Sequence, residues 1–327
     1  MTIACMSALG ERMLADLAAA EDVELRVVPD APAPEALRKI CADADIVLSD
    51  NRHKHPLGHD ELSVMRRCRL LQQAAVGYDV IDARAAAALG IPVANATGYN
   101  RESVADLVVM GAIALLRNVP GGDAGIRAGG WIDTSVEGRE LGAMTVGIIG
   151  VGNIGTAVAS RMRAFGCRVI YHDIAARGVS GAEPVSREEL LDRADVVTVH
   201  VPLDDTTRGL MGAAEFARMK DGAVFVNTSR GPVVDEAALA GALRDGRLRG
   251  AYLDVFAAEP LPPDSPLRAM HNVLMTPHVG GFTREAQTRL RHAVEINVRR
   301  VLAGQEPLNI VNGTRTGLSS PPTADQK

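Results

Sequence analysis

The chain has 327 residues, 47% of them hydrophobic and 23% charged, with a formal charge of −5. That length suffices for two domains with sizeable cores, and the composition excludes an intrinsically disordered chain. The charge also excludes the broad basic field that general nucleic-acid binding needs, although one placed arginine can still hold a small anion.

Short aliphatic runs alternate with alanine-rich stretches from the start. "TIACMS", "VELRVVP", "DIVLSD" and "LLQQAAV" read as strands, with helices around residues 9–21, 34–43 and 60–68. Aliphatic strands separated by crossover helices suit a parallel sheet covered on both faces, so the class is α/β. This first unit runs to about residue 100. The stretch "RESVADLVVMGAIALLRNV", residues 101–119, is expected to be one long helix linking two domains. A second βα series follows through "TVGIIG", "RVIYHD", "DVVTVH", "AVFVNT", "GAYLDVF" and "NVLMTP". After residue 283, "REAQTRLRHAVEINVRRVLAGQ" is helical again and able to pack back on the first unit. Two Rossmann-like domains with parallel sheets are therefore expected. Residues 1–100 and 285–312 form one, residues 101–284 form the other as an insertion, and 313–327 form a disordered tail.

The opening lacks the basic start and long apolar stretch of an export signal, and no segment has the unbroken apolar length of a membrane span. Cys5, Cys41, Cys68 and Cys167 have no close pairing, which favours reduced buried thiols over a disulfide scaffold or a metal knuckle. A cytoplasmic protein without membrane, nucleic-acid or metal partners is the expectation.

The strongest local pattern is "TVGIIGVGNIGTAVASRMRAFGCRVIYHD". Gly150, Gly152 and Gly155 form GxGxxG between a strand and a helix: the first permits the tight turn, the second lets backbone approach a pyrophosphate, and the third allows close helix–strand packing. The helix N-terminus then offers free N–H groups to the phosphates. Asp173, eighteen residues beyond Gly155 at the end of the next strand, can accept hydrogen bonds from an adenosine ribose. Its charge would repel a 2′-phosphate and points to NAD over NADP, with Arg177 nearby complicating but not reversing that preference. A glycine-rich structural turn is the plainer alternative.

Three later segments carry chemistry: "FVNTSRGPVVDEAAL" with Arg230, "AYLDVFAAEPLPPDSPL" with Asp254 and Glu259, and "MTPHVGG" with His278. Loops beyond the carboxyl ends of parallel strands converge on a ligand crevice, so three distant residues can share one site. Arg230 can hold a carboxylate through its two-pronged donor face and polarise a carbonyl. His278 can give a proton as hydride reaches the carbonyl carbon, and Glu259 can fix its tautomer. Each alone has an ordinary reading as a surface ion pair, a solvated loop acid or a strand-capping histidine.

These blocks, with "HVPLDDTTRGLM", "AAVGYDVID", "GIPVANATGYN", "SVADLV" and "AGGW", resemble the D-isomer-specific 2-hydroxyacid dehydrogenases, a family that includes phosphoglycerate dehydrogenase and glyoxylate or hydroxypyruvate reductases. The resemblance is close over roughly residues 65–312. It implies NAD-dependent interconversion of a small 2-oxo acid and its D-2-hydroxy acid, with Arg230, Glu259 and His278 catalytic. It places cofactor contacts at Val104, Gly150, Gly152, Asn153, Ile154, Gly155, Asp173, Pro202, Thr207, Thr228, Asp254, Gly280 and Gly281. Substrate contacts fall on Val76, Gly77 and Tyr78 beside Arg230 and His278. The resemblance further implies a substrate domain interrupted by the NAD domain, and a homodimer built around the latter.

Two departures stand out. Asp106 replaces the family's usual glutamate, and "SDNRHKHPLG" replaces a small-polar loop with Arg52, His53, Lys54 and His55. Arg52 is therefore a candidate substrate contact, against the plainer reading of a solvated basic loop. Two other activities fit the same fold: an NAD(H)-sensing corepressor-like protein, and a formate or phosphite dehydrogenase.

Overall fold

The computed structural model describes residues 1–6, 8–28, 33–50, 55–131 and 137–315. Chain contacts divide it into two compact units: Met1–Tyr99 with Arg284–Lys327, and Asn100–Thr283.

The first unit runs β1 (Thr2–Cys5), α1 (Ala8–Ala20), β2 (Glu24–Val27), α2 (Pro34–Ala42), β3 (Ile46–Leu48), α3 (His59–Ser63), β4 (Leu70–Gln72), α4 (Ala83–Ala88) and β5 (Val93–Ala94). Its five-stranded sheet has the order β2-β1-β3-β4-β5, every pair parallel. Both faces are covered, which is why strand residues such as Ile3, Ala4, Ile46 and Val47 are all fully buried rather than alternating. The expected helix over 60–68 is short. It stops at Ser63, and tight turns, Met65 N–H to Leu62 O and Cys68 N–H to Met65 O, carry the chain on while Met65 and Cys68 are buried.

The second unit runs α5 (Arg101–Leu116), α6 (Val119–Arg127), β6 (Thr145–Ile149), α7 (Asn153–Ala164), β7 (Arg168–His172), β8 (Glu183–Pro184), α8 (Arg187–Arg193), β9 (Val196–Val199), α9 (Ala213–Arg218), β10 (Ala223–Asn227), α10 (Glu236–Arg244), β11 (Leu248–Leu253) and β12 (Val273–Met275). Its seven strands lie in the order β12-β11-β10-β9-β6-β7-β8 and all pairs are parallel. The chain leaves β6 in one direction and resumes at β9 on its other side, so the topological switch point lies between β6 and β9. One helix was expected over 101–119, but there are two. Asn118 takes a left-handed φ of 49°, and Pro120 stands in the first turn of α6, where its missing N–H costs nothing but forbids continuation from α5. The short edge strand β8 carries no aliphatic run and was not legible in the sequence.

The last helix, α11 (Arg284–Leu302), belongs to the first unit, where Leu290, Val294, Val298 and Val301 are fully buried with Ile3, Leu14 and Ile46. Each such side chain contributes about 1.5–3 kcal/mol of burial, so this stripe accounts for the helix's placement despite its charged remainder. Residues 316–327 of the expected disordered tail lie outside the described residues.

Candidate active site

The glycine turn sits at the switch point of the seven-stranded sheet. Gly150 has φ of 88°, and a Cβ there would come 2.5 Å from the His200 carbonyl oxygen, so only glycine fits between the ends of β6 and β9. A Cβ on Gly155 would stand 2.0 Å from the Gly150 oxygen, which sets how closely α7 approaches the turn. Gly152, by contrast, faces open space, and α7 starts there without a side-chain cap or an acidic residue in its first turn. Asn153 and Ile154 open the helix. An uncapped, glycine-lined helix N-terminus offers free N–H donors and a positive potential that suit a pyrophosphate.

Asp173, at the end of β7, ties back to this turn. Its carboxylate accepts from Val151 N–H at 2.8 Å and Ala175 N–H at 2.8 Å, with Arg177 Nε 3.8 Å away. Both oxygens keep lone pairs for a ribose diol. Thr207 Oγ1 donates to Pro202 O at 2.6 Å and closes the loop after β9. Thr228, just past β10, has a buried hydroxyl without a partner among the described residues. An orphaned buried hydroxyl at this edge suits a ligand that supplies the missing hydrogen bond. The residues present therefore fit a dinucleotide.

Asp106, the shortened acid on α5, is paired with Arg161 of α7 at 2.7 Å, and Glu102 joins the same guanidinium at 2.8 Å. The arginine's hydrogen bond holds the Glu102 carboxyl below its usual range. Because Asp106 is largely exposed, this pair adds at most about 1 kcal/mol.

Farther along the same carboxyl edge, His278 Nδ1 lies 2.7 Å from Glu259 Oε2. The other carboxylate oxygen, Oε1, accepts from Phe256 N–H at 3.0 Å, which fixes the acid's orientation. Burial pushes the Glu259 carboxyl up, but the His278 hydrogen bond, the Phe256 amide and the charges of His278 and Arg230 together bring it below its usual range. Glu259 therefore stays ionised. Both side chains remain about a third exposed, at 38% and 36%, so the pair adds little to stability and is better placed for chemistry. Arg230 donates to Ser229 O at 2.8 Å, and Asn227 Nδ2 donates to Arg230 O at 3.0 Å. The next residue, Gly231, packs so tightly that a Cβ would fall 1.9 Å from the Phe256 carbonyl carbon, which locks the arginine's loop against the glutamate's.

The turn carrying His278 is held by Asp254, which is 1% exposed at the end of β11. Asp254 Oδ1 accepts from Val279 N–H at 2.9 Å and Oδ2 from Gly280 N–H at 2.8 Å. Burial raises the Asp254 carboxyl, and the hydrogen bonds from Thr276, Val279 and Gly280 offset only part of that rise. A Cβ on Gly280 would meet Asp254 Oδ2 at 2.9 Å and Val104 of α5 at 3.2 Å, which brings Val104 to the same place; Gly281 follows directly. His278 itself adopts φ of 52°, a left-handed backbone that its N–H bond to Asp254 O at 2.8 Å supports.

A second histidine at this edge is chemically different. His200 has its Nε2 2.9 Å from Thr198 Oγ1, and its Nδ1 is sealed from solvent although the residue as a whole is only partly buried. Burial pushes it down to about 3, so it is neutral throughout the working range.

Of the substrate candidates, Val76, Gly77 and Tyr78 belong to the other unit, in the loop after β4, where Val76 O accepts from Asn95 Nδ2 at 2.7 Å. Arg52, with His53 and Lys54, lies outside the described residues. Sequence reasoning missed Thr276, whose hydroxyl donates to Asp254, and Tyr252, whose hydroxyl bonds that of Thr276; only their place in "MTPHVGG" and "GAYLDVF" hinted at a role. All four cysteines are free and buried, and burial pushes the thiols of Cys5, Cys41 and Cys68 up to about 12. No single helix among the described residues is long and apolar enough to cross a membrane.

Residues 109–280 match the family model described as D-isomer specific 2-hydroxyacid dehydrogenase, NAD binding domain. A glyoxylate reductase of Korarchaeum cryptofilum is 38% identical over 265 residues, covering 79% of this chain and 80% of that protein. A D-3-phosphoglycerate dehydrogenase of Mycobacterium tuberculosis is 39% identical over 296 residues, but those are 89% of this chain and 55% of the longer relative. The crystal structure of a glyoxylate reductase from Paecilomyes thermophila superposes with a TM-score of 0.87 at 30% identity, covering 96% of this chain and 98% of that one. The glycine turn at the switch point, the anchored histidine turn and these likenesses agree: the chain belongs to the D-isomer-specific 2-hydroxyacid dehydrogenases.

Proposed function

We propose that Arg230, Glu259 and His278 carry out the family's NAD-dependent interconversion of a 2-oxo acid and its D-2-hydroxy acid in this chain. The 2.7 Å contact between His278 and an ionised Glu259, under the influence of the Arg230 charge, carries this reading. Bound NADH supplies the hydride for reduction, and NAD takes it in the reverse direction. Arg230 binds the substrate carboxylate through paired N–H donors and draws charge from the carbonyl. His278, protonated, gives its Nε2 proton to the forming alkoxide, and takes one back in oxidation. Glu259 accepts from Nδ1–H, which fixes the ring so that Nε2 faces the reaction. Val76 and Gly77, with Tyr78, add substrate-binding groups.

For the cofactor, the α7 N-terminus with Gly150, Gly152, Asn153, Ile154 and Gly155 receives the pyrophosphate, and Asp173 receives the ribose hydroxyls. Val104, Pro202, Thr207, Thr228, Asp254, Gly280 and Gly281 complete the contacts. The Asp173 charge sets a preference for NADH over NADPH.

NADH oxidation should be measured with glyoxylate, hydroxypyruvate, pyruvate, phosphohydroxypyruvate and larger sugar-derived 2-oxo acids, and NAD reduction with formate and phosphite. Saturable turnover with a 2-oxo acid, at least about tenfold better with NADH than with NADPH, is expected, tenfold being what a single charged contact supplies. Glyoxylate heads the panel because glyoxylate reductases are among the relatives. Tight NADH binding without turnover on any acid would instead favour the sensing protein, and turnover confined to formate or phosphite would replace the substrate class.

A homodimer is supported by α6, where no side chain is buried and Val119 and Ile126, with Trp131 beyond, are more than half exposed. Sedimentation should give twice the chain mass, and Ile126→Glu should shift it toward the monomer. A monomer at micromolar concentration would remove this assignment. The buried free thiols support a reducing, cytoplasmic compartment, which cell fractionation checks.

A further inference from the structure

Asp254 does more than meet a ligand. Four groups of the 276–280 turn hang on it: the Thr276 hydroxyl at 2.5 Å and the Val279 N–H at 2.9 Å on Oδ1, the Gly280 N–H at 2.8 Å on Oδ2, and the His278 N–H at 2.8 Å on the backbone oxygen. The Thr276 hydroxyl donates its single proton to Asp254 Oδ1, which also accepts from Val279 N–H. The Thr276 oxygen is therefore left to accept from the Tyr252 hydroxyl, 2.8 Å away. That hydroxyl cannot wander. Tyr252 is fully buried, and its ring fills the notch at Gly111 of α5, where a Cβ would lie 2.2 Å from a ring carbon.

We propose that Thr276 and Tyr252 are positioning residues for proton transfer: a one-way hydroxyl relay from the packed ring to Asp254 that fixes the left-handed turn presenting His278. The relay's hydroxyls touch neither the His278 imidazole nor Glu259: its members meet His278 only at the main-chain N–H, which the Asp254 and Thr276 carbonyl oxygens accept at 2.8 and 3.0 Å. A buried carboxylate short of one donor would draw its remaining amides closer or turn toward another partner, and either response moves the His278 backbone. An error of about 1 Å at a proton donor is enough to cost about a hundredfold in rate. The inference rests on His278 as the acid–base group, and its test separates the two.

The full chain is compared as wild type, Thr276→Val, Thr276→Ser and Tyr252→Phe, with His278→Ala identifying the ring resonance. Two readouts are taken: kcat and KM for 2-oxo acid reduction, and the NMR titration of the His278 imidazole without cofactor. Thr276→Val keeps the side-chain volume but removes the donor. It should lower kcat by about ten- to hundredfold with substrate KM little changed, and displace the imidazole titration. Thr276→Ser should restore both. Tyr252→Phe keeps the ring in its notch and should give the same displacement with about a two- to tenfold loss, which keeps the test open if Thr276→Val folds poorly. A wild-type titration in Thr276→Val or Tyr252→Phe overturns the proposal, as does a kcat loss that serine does not rescue. Full turnover in His278→Ala would instead remove the acid–base reading while leaving a displaced titration as evidence of the relay.

Discussion

His278→Ala is expected to lower kcat for 2-oxo acid reduction by about a thousandfold while the NADH dissociation constant changes by less than about twofold. A large loss is expected because the other buried titratable groups described at this edge are poor proton donors. His200, at the end of β9, is pushed down by burial to about 3 and stays neutral. Asp254 is buried and committed to the histidine turn. Cofactor binding is spared because the glycine turn and Asp173 do not depend on the imidazole. A parallel fall in kcat and NADH affinity would mean that the histidine supports the turn and does not transfer the proton.

The partner variant, Glu259→Gln, gives the same pair a pH signature. Wild-type Glu259 has its carboxyl held below the usual range, so its charge persists as pH falls and is lost only through that lowered value. Wild-type turnover should therefore hold as pH falls until the carboxyl takes up its proton, and Glu259→Gln, which cannot ionise, should lack that acid limb and turn over about ten- to a hundredfold more slowly. An acid limb unchanged in Glu259→Gln would show that it belongs to another group.

Arg230→Lys is expected to lower kcat/KM by about a hundred- to thousandfold, with both a higher KM and a lower kcat. A lysine keeps the charge but presents a point donor where the guanidinium offers two parallel N–H groups. Gly231 locks the backbone here against Phe256, so the loop cannot shift to compensate for a different reach. Added guanidinium should partly rescue Arg230→Ala if the missing group binds substrate. Rescue should be absent if the arginine serves only to hold its loop through Ser229.

The legible parts of this protein were those encoded within a short stretch. Aliphatic runs marked the strands of both sheets, and "GVGNIG" marked the turn, because a glycine pattern between a strand and a helix reports a local backbone need. Arg230, Glu259 and His278 were each visible as reactive residues at strand ends, but their convergence depends on a seven-strand order that no stretch of sequence states. The break between α5 and α6 was hidden behind the apolar run that ends at Leu116, although Asn118 and Pro120 followed it as signals. The Tyr252–Thr276–Asp254 relay was invisible for a different reason. Tyrosine and threonine are ordinary strand residues, and only the parallel pairing of β11 with β12 sets their hydroxyls side by side.

The anchoring of the 276–280 turn also separates two things that selection can act on. Asp254 grips the turn at the main-chain N–H groups of His278, Val279 and Gly280, so no side-chain hydrogen bond from Pro277 or Val279 enters that grip. Substitution of the Val279 side chain leaves those hydrogen-bonding groups in place. A lineage with this scaffold is thus able to explore new acids by altering the surroundings of an imidazole whose turn keeps its anchors, and a protein engineer can begin at the same residue.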